Sequence, residues 1–242
     1  MTQRGLSRYW ALYNDLRALG PFFAVETHAR GELKPPPWQP MTALINDDGA
    51  LAARVDAVRT ALAQRAGRQP ADIETKVAAS VAHLGLIARL LAPAMGATAL
   101  GHPQASLSLD DLWWQNELGG PYPLSITPGS RTEVPGAAPA VEAITAAIAE
   151  RYAVSRRVLW GNVGSVSNSA AEQISTARPD LRVAGHAAAD PILADRRIDG
   201  GVLRVGPLFR RRSCCLIHRI ANDRAQICGD CVLGPELGVA YD

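Results

Sequence analysis

All four cysteines of this 242-residue chain lie at or beyond position 214, as Cys214-Cys215 and, after the loop 216–227, as Cys228-Gly229-Asp230-Cys231. Thiolates gathered over so short a span are the donor set of a soft metal centre. Cys-x-x-Cys turns two sulfurs toward one point, and the loop returns the chain to the first pair. Structural zinc more often uses two Cys-x-x-Cys or Cys-x-x-His knuckles, and adjacent cysteines on an extended backbone point to opposite faces. A 2Fe-2S cluster has two irons to ligate and tolerates a wider spread of sulfurs. Spacing alone leaves a cluster, zinc, and disulfides or unligated thiols all open. His218, between the two pairs, is a rival ligand in a Rieske-like or Cys3His scheme, although the cysteines already complete a set of four.

The elements that must position these sulfurs read as mainly α with a few short β-strands, an α+β chain. A helical body is expected over 1–195, followed by a small cysteine-rich module over 196–242. Asp47 or Asp48 caps a helix carrying Leu51, Val55, Val58 and Leu62, stopped by Gly67. A second helix begins near Ala71 or Asp72 behind Pro70, carries Val77, Val81, Leu84, Ala88 and Leu91 on one face, and is expected to end at Pro93 and Gly96. A third runs from Ala138 to Tyr152 and a fourth from Ser155 toward Ser175. Short strands are expected at Ser106–Leu109, Tyr122–Ile126 and Val202–Val205, the last after the Asp199-Gly200-Gly201 turn. Pro35-Pro36-Pro37 reads as an extended loop, and Gly119 to Pro139 as a surface connection.

Composition narrows the function classes. With 48% hydrophobic residues, the chain can bury a full core, and 25 basic against 23 acidic residues leave a net charge of +2. No sustained Lys/Arg stripe offers a footprint for nucleic acid, so none is expected as a partner. The first twenty positions carry Arg4, Arg8, Asp15 and Arg17 without an apolar run, so no signal peptide is read and a cytoplasmic location is expected. The most apolar stretch, Val77 to Leu100, contains His83, Arg89 and Pro93. It reads as a buried helix rather than a transmembrane segment. A monomer is the expected state.

Arg211-Arg212-Ser213-Cys214-Cys215, Cys228-Gly229-Asp230-Cys231-Val232-Leu233 and the upstream Val158-Leu159-Trp160-Gly161-Asn162 together resemble the FhuF-type ferric siderophore reductases. The resemblance is specific in the tail and diffuse elsewhere, and the loop 216–227 is longer than the family's usual one. It implies that Cys214, Cys215, Cys228 and Cys231 bind one 2Fe-2S cluster, and that the protein reduces the ferric iron of hydroxamate-type siderophores. It also implies that Trp160 and Asn162 support the cluster or the surface facing it.

Such a reaction needs no general base or nucleophile. Ferric iron in an oxygen cage is a hard cation among hard donors, and one electron turns it into a ferrous ion that those oxygens hold far more weakly. Cations near a cluster favour its reduced form; one guanidinium roughly 8 Å away at an effective dielectric of about 20 contributes about 2 kcal/mol, on the order of 90 mV. Arg211, Arg212 and Arg219, with Arg210 and Arg224, are the candidates for tuning the potential or for holding a charged ferric complex. Trp113-Trp114 fits a core anchor better than a platform for substrate. His28, His83, His102 and His186 lack ligand spacing and are expected to be structural.

The chain has no Gly-x-Gly-x-x-Gly after a strand, no Gly-Lys-Ser/Thr loop and no His-Glu-x-x-His. Electrons are therefore expected from an external ferredoxin or flavoprotein docking near the basic tail. Two other readings belong to different classes. One is a zinc-stabilised ligand-binding protein without redox activity; the other is an electron-transfer module serving another protein.

Overall fold

The computed structural model describes residues 3–46, 48–102, 108–128, 139–201, 204–205, 208–209, 211–220 and 230. Among them the chain is mostly helical, with a small mixed sheet and one two-stranded antiparallel pair. The helices are α1 (Gln3–Ala18), α2 (Ala43–Asn46), α3 (Asp48–Ala66), α4 (Thr75–Ala99), α5 (Pro139–Tyr152), α6 (Arg156–Ala177) and α7 (Arg182–Leu193). The strands are β1 (Glu26–Thr27), β2 (Gln39–Pro40), β3 (Leu112–Trp114), β4 (Leu124–Ile126), β5 (Arg204–Val205) and β6 (Leu208–Phe209).

The body is organised around α4. Val77, Ala78, Ala79, Ala82, Leu86, Ile87 and Leu90 are all fully buried, so the helix is apolar around its whole circumference and needs neighbours on every side. It has them: α3, α5, α6 and α7 pack along it, and α1 crosses its end. Its mean hydropathy of 1.6 over 18 residues would suit a membrane span by length and composition, yet 72% of that window is buried inside the protein. The expected stop at Pro93 and Gly96 does not occur, and the helix runs on to Ala99. Proline removes one backbone donor and crowds the preceding turn. Burial of Leu90, Leu91, Met95 and Ala97 on both sides of it outweighs that cost. Gly96 is a crossing point instead of a cap: a Cβ there would stand 2.7 Å from Leu16 and 2.9 Å from Phe23. The start also differs, because residues 70–72 form a separate 3-10 turn before α4 opens at Thr75.

The helices α3, α5 and α6 form where expected, and Gly67 ends α3 at a φ of +64°. Asp47 and Ala138 lie outside the described residues. The helices α1 and α7 were not foreseen.

The sheet has the order β1-β4-β3-β2, with β1 parallel to β4 and the other pairs antiparallel. Tyr122 to Ile126 yields strand only from Leu124, and the Tyr122 side chain is buried with its hydroxyl donating to the Leu86 carbonyl at 3.2 Å. Trp114 is a fully buried anchor as expected, but on strand β3 and edge-on to Tyr122. Ser106 and Leu107 lie outside the described residues, and Leu109 opens a 3-10 turn where a strand was expected. Of Val202 to Val205, only Arg204 and Val205 are described; they pair with β6.

Candidate metal centre

The described part of the cysteine tail, residues 211–220, lies across a seat made by α3, α4 and α6. Three anchors hold it. At its far end Ile220 packs with Ala63, Ile73 and Val77, and Leu216 and Ile217 lean on the same cluster. In the middle the Ser80 hydroxyl donates to the backbone carbonyl of Cys215 at 2.9 Å. At the near end Arg211, only 1% exposed, points its guanidinium into the body, and Nη2 donates to Asn162 Oδ1 at 2.7 Å. A longer contact of 3.4 Å reaches the Val158 carbonyl one turn earlier on α6.

The Trp160-Gly161-Asn162 segment gains a physical meaning from this docking. A Cβ on Gly161 would stand 1.9 Å from Ser213 Oγ and 3.2 Å from Arg211 Nη2, so only glycine leaves room for the tail to lie on α6. Asn162 is the polar socket. Its Nδ2 donates to the Ser80 carbonyl at 3.0 Å and faces His83 Nδ1 at 3.4 Å. Trp160 looks elsewhere: it is 5% exposed and stacks under the Arg197 guanidinium, 3.9 Å from the ring centroid.

The hydrogen-bond directions through this network are determined. Arginine has no acceptor, so Asn162 must present its oxygen to Arg211 and its nitrogen to the other side. The Thr145 hydroxyl donates to the Val141 carbonyl at 2.6 Å, so it accepts from His83 Nε2 at 3.0 Å. His83 therefore carries its proton on Nε2 and accepts from Asn162 at Nδ1. Burial and the nearby Arg211 charge push its pKa down to about 3, which keeps the ring neutral.

Cys215 is buried, whereas Cys214 is partly exposed, as expected for neighbours whose side chains diverge. Leu216 follows in the left-handed region at a φ of 72°, and its N–H points back to Cys214 Sγ at 3.3 Å. His218 Nδ1 lies 3.0 Å from the same sulfur. That ring nitrogen is engaged with the Cys214 thiol. Cys228 and Cys231 lie outside the described residues, as do Arg210 and Arg224. Among the described residues no three His, Cys, Asp or Glu side chains converge on a common metal position.

One backbone bond reaches the only described residue of the second cysteine motif. The Arg211 N–H donates to the carbonyl of Asp230, the residue before Cys231, at 3.2 Å. Asp230 is thereby tied to the start of the segment bearing Cys214 and Cys215. Arg211 Nε and Nη1, Ser213 Oγ and Asp230 Oδ2 are buried without a hydrogen-bond partner among the described residues. The donors among them, gathered beside the cysteines, suit an anionic sulfur-rich group.

The remaining arginines separate by environment. Arg212 is exposed. Arg219 forks onto both carboxylate oxygens of Glu74, 3.0 Å from each, and so clamps the tail to the start of α4. Hydrogen bonds from Lys76 and Arg219 hold the Glu74 carboxyl below its ordinary pKa. Ser80 and His83 belong to the seat but were not singled out from sequence as site residues. Their signal was a polar pair at i, i+3 inside the most apolar stretch of the chain.

Residues 211–233 match the family model of the FhuF 2Fe-2S C-terminal domain. No curated protein and no solved structure matches the chain.

Proposed function

We propose that this chain is a ferric siderophore reductase, in which Cys214, Cys215, Cys228 and Cys231 hold a 2Fe-2S cluster and the iron of a hydroxamate-type complex is the substrate. The observation that carries the reading is the match of residues 211–233 to a 2Fe-2S domain. The Arg211-to-Asp230 backbone bond supports it, because it ties a residue between Cys228 and Cys231 in sequence to the segment of Cys214 and Cys215. When bound, the cluster supplies electrons one at a time. The stoichiometry is one electron from an external ferredoxin or flavoprotein for each Fe(III) reduced to Fe(II), with release of the weakly held ferrous ion.

The chain's own residues position and insulate. Ser80, Asn162 and Gly161 fix the tail against the body, and the apolar contacts of Leu216, Ile217 and Ile220 exclude water from its underside. Leu216 N–H supports the Cys214 sulfur. Exposed Arg212 leaves a positive charge beside the cysteines on which an acidic donor docks, so docking should weaken at high salt. In this proposal the body over 1–195 meets the siderophore, the module over 196–242 carries the cluster, and the protein works as a cytoplasmic monomer.

Purified aerobically, the protein should be red-brown and bleach with dithionite. Pre-reduced protein should reoxidise in a single turnover on some member of a panel of ferric hydroxamates. Cys228→Ser and Cys231→Ser should lose or shift the visible spectrum, since a hard oxygen replaces a soft sulfur. A colourless zinc protein, even after anaerobic reconstitution with iron and sulfide, would overturn the proposal.

A further inference from the structure

We infer that Arg211 is the built-in counter-charge of the cluster, positioned by Asn162, and that it raises the cluster's midpoint potential. The inference rests on the cluster reading above and adds to it the residue that sets the redox equilibrium.

Arg211 is a buried cation whose electrostatic partner is missing from the body. Its side chain is 1% exposed, yet no carboxylate pairs with it among the described residues, and both Nε and Nη1 lack a hydrogen-bond partner there. Asn162 takes one N–H but brings no negative charge. Behind Asn162 stand the Ser80 carbonyl and neutral His83, which bring none either. A guanidinium taken out of water without an anion is costly, and such groups persist where an anion is supplied.

The location identifies that anion. Arg211 and Ser213 crowd the same point above Gly161, so the guanidinium sits beside the residue that precedes Cys214. The Arg211 backbone N–H holds Asp230, between Cys228 and Cys231. Arg211 thus lies beside Ser213, which precedes Cys214, and is bonded to Asp230. A four-thiolate 2Fe-2S cluster is formally dianionic when oxidised and gains one more negative charge on reduction. A desolvated cation beside it favours the reduced form, with less screening than a surface charge would suffer. Neither neighbouring arginine meets these conditions, because Arg212 is exposed and Arg219 already has Glu74 as its anion.

The test is a redox titration of full-length protein reconstituted with iron and sulfide, followed by visible absorbance. Arg211→Gln removes the charge. Asn162→Asp keeps the hydrogen bond to Arg211 and sets a cancelling charge against it. Both should lower the midpoint by at least a tenfold change in the one-electron equilibrium, about 59 mV. Arg212→Gln and Arg219→Gln should leave it within error. A second readout covers variants that hold the cluster poorly: the gain in unfolding temperature on reconstitution should shrink in Arg211→Gln relative to wild type. A purely structural Arg211 would lower apo and loaded forms together and leave that gain unchanged.

A wild-type midpoint in cluster-loaded Arg211→Gln or Asn162→Asp, or an equal shift in Arg212→Gln, would overturn the inference. A folded Arg211→Gln protein that binds no cluster, while wild type does, supports it. Failure of the underlying reading looks different, since wild type itself would then show no 2Fe-2S absorption.

Discussion

Ser213 occupies the space that a side chain at position 161 would fill, its Oγ lying 1.9 Å from where a Cβ on Gly161 would stand. Gly161→Ala should therefore lift the tail from α6 and destabilise the protein by about 1–3 kcal/mol, as overpacking does. Ser213→Ala removes the clashing oxygen and leaves Cβ at 3.3 Å, a distance small shifts can absorb. The double variant should recover most of the loss. A denaturation double-mutant cycle checks this, and strict additivity would refute the contact as the cause.

Ser80→Ala leaves the Cys215 carbonyl without its hydroxyl donor while hardly changing the packed volume. The expected cost is about 0.5–1.5 kcal/mol, the net worth of one hydrogen bond. The damage should be local. Tryptic cleavage at Arg211 to Arg219 should accelerate while α4 stays protected, and equal acceleration in both places would contradict the seat.

His83 gives the fold an acid-sensitive element. Its folded pKa of about 3 lies below the ordinary 6.5 of the unfolded chain, so between these values the unfolded state binds more protons. Its contribution is complete above pH 6.5 and is lost as the pH falls toward 3, at about 1.4 kcal/mol per pH unit. In urea titrations from about pH 6.5 down to about pH 4, His83→Gln should flatten this slope. An unchanged slope would assign the acid sensitivity to other groups.

Arg89 closes the opposite end of α4 by donating to the carbonyls of Phe22, Ala24 and Tyr122. It is 4% exposed, and Arg89→Met would orphan these acceptors together. A loss of about 3 kcal/mol or more is expected in chemical denaturation. The visible spectrum should not change, because the tail rests on the other half of α4.

The sulfurs were legible because thiols concentrated at one end of a chain have few chemical uses. Arg211 was legible from its nearness to the cysteines, Trp160 and Asn162 only through the resemblance; the structure joins Arg211 and Asn162 by a hydrogen bond and turns Trp160 toward Arg197. Helices α3 and α5 each show one apolar face, which periodicity reports directly. Periodicity says less about α4, where burial on all sides carries the helix past Pro93. It is also weak for α7, which contains Gly185 and Pro191 and exposes Val183. The strands are two or three residues long and exist only through partners distant in sequence, such as Glu26 with Ser125. The roles of Ser80 and His83 depend on α6 lying against α4, which no local pattern encodes.

The seat comes entirely from residues 63–83 and 158–162, all of which precede the segment it receives. During vectorial synthesis the ribosome completes this platform before the thiols are made. The nascent tail thus follows, in order of synthesis, every residue it docks against.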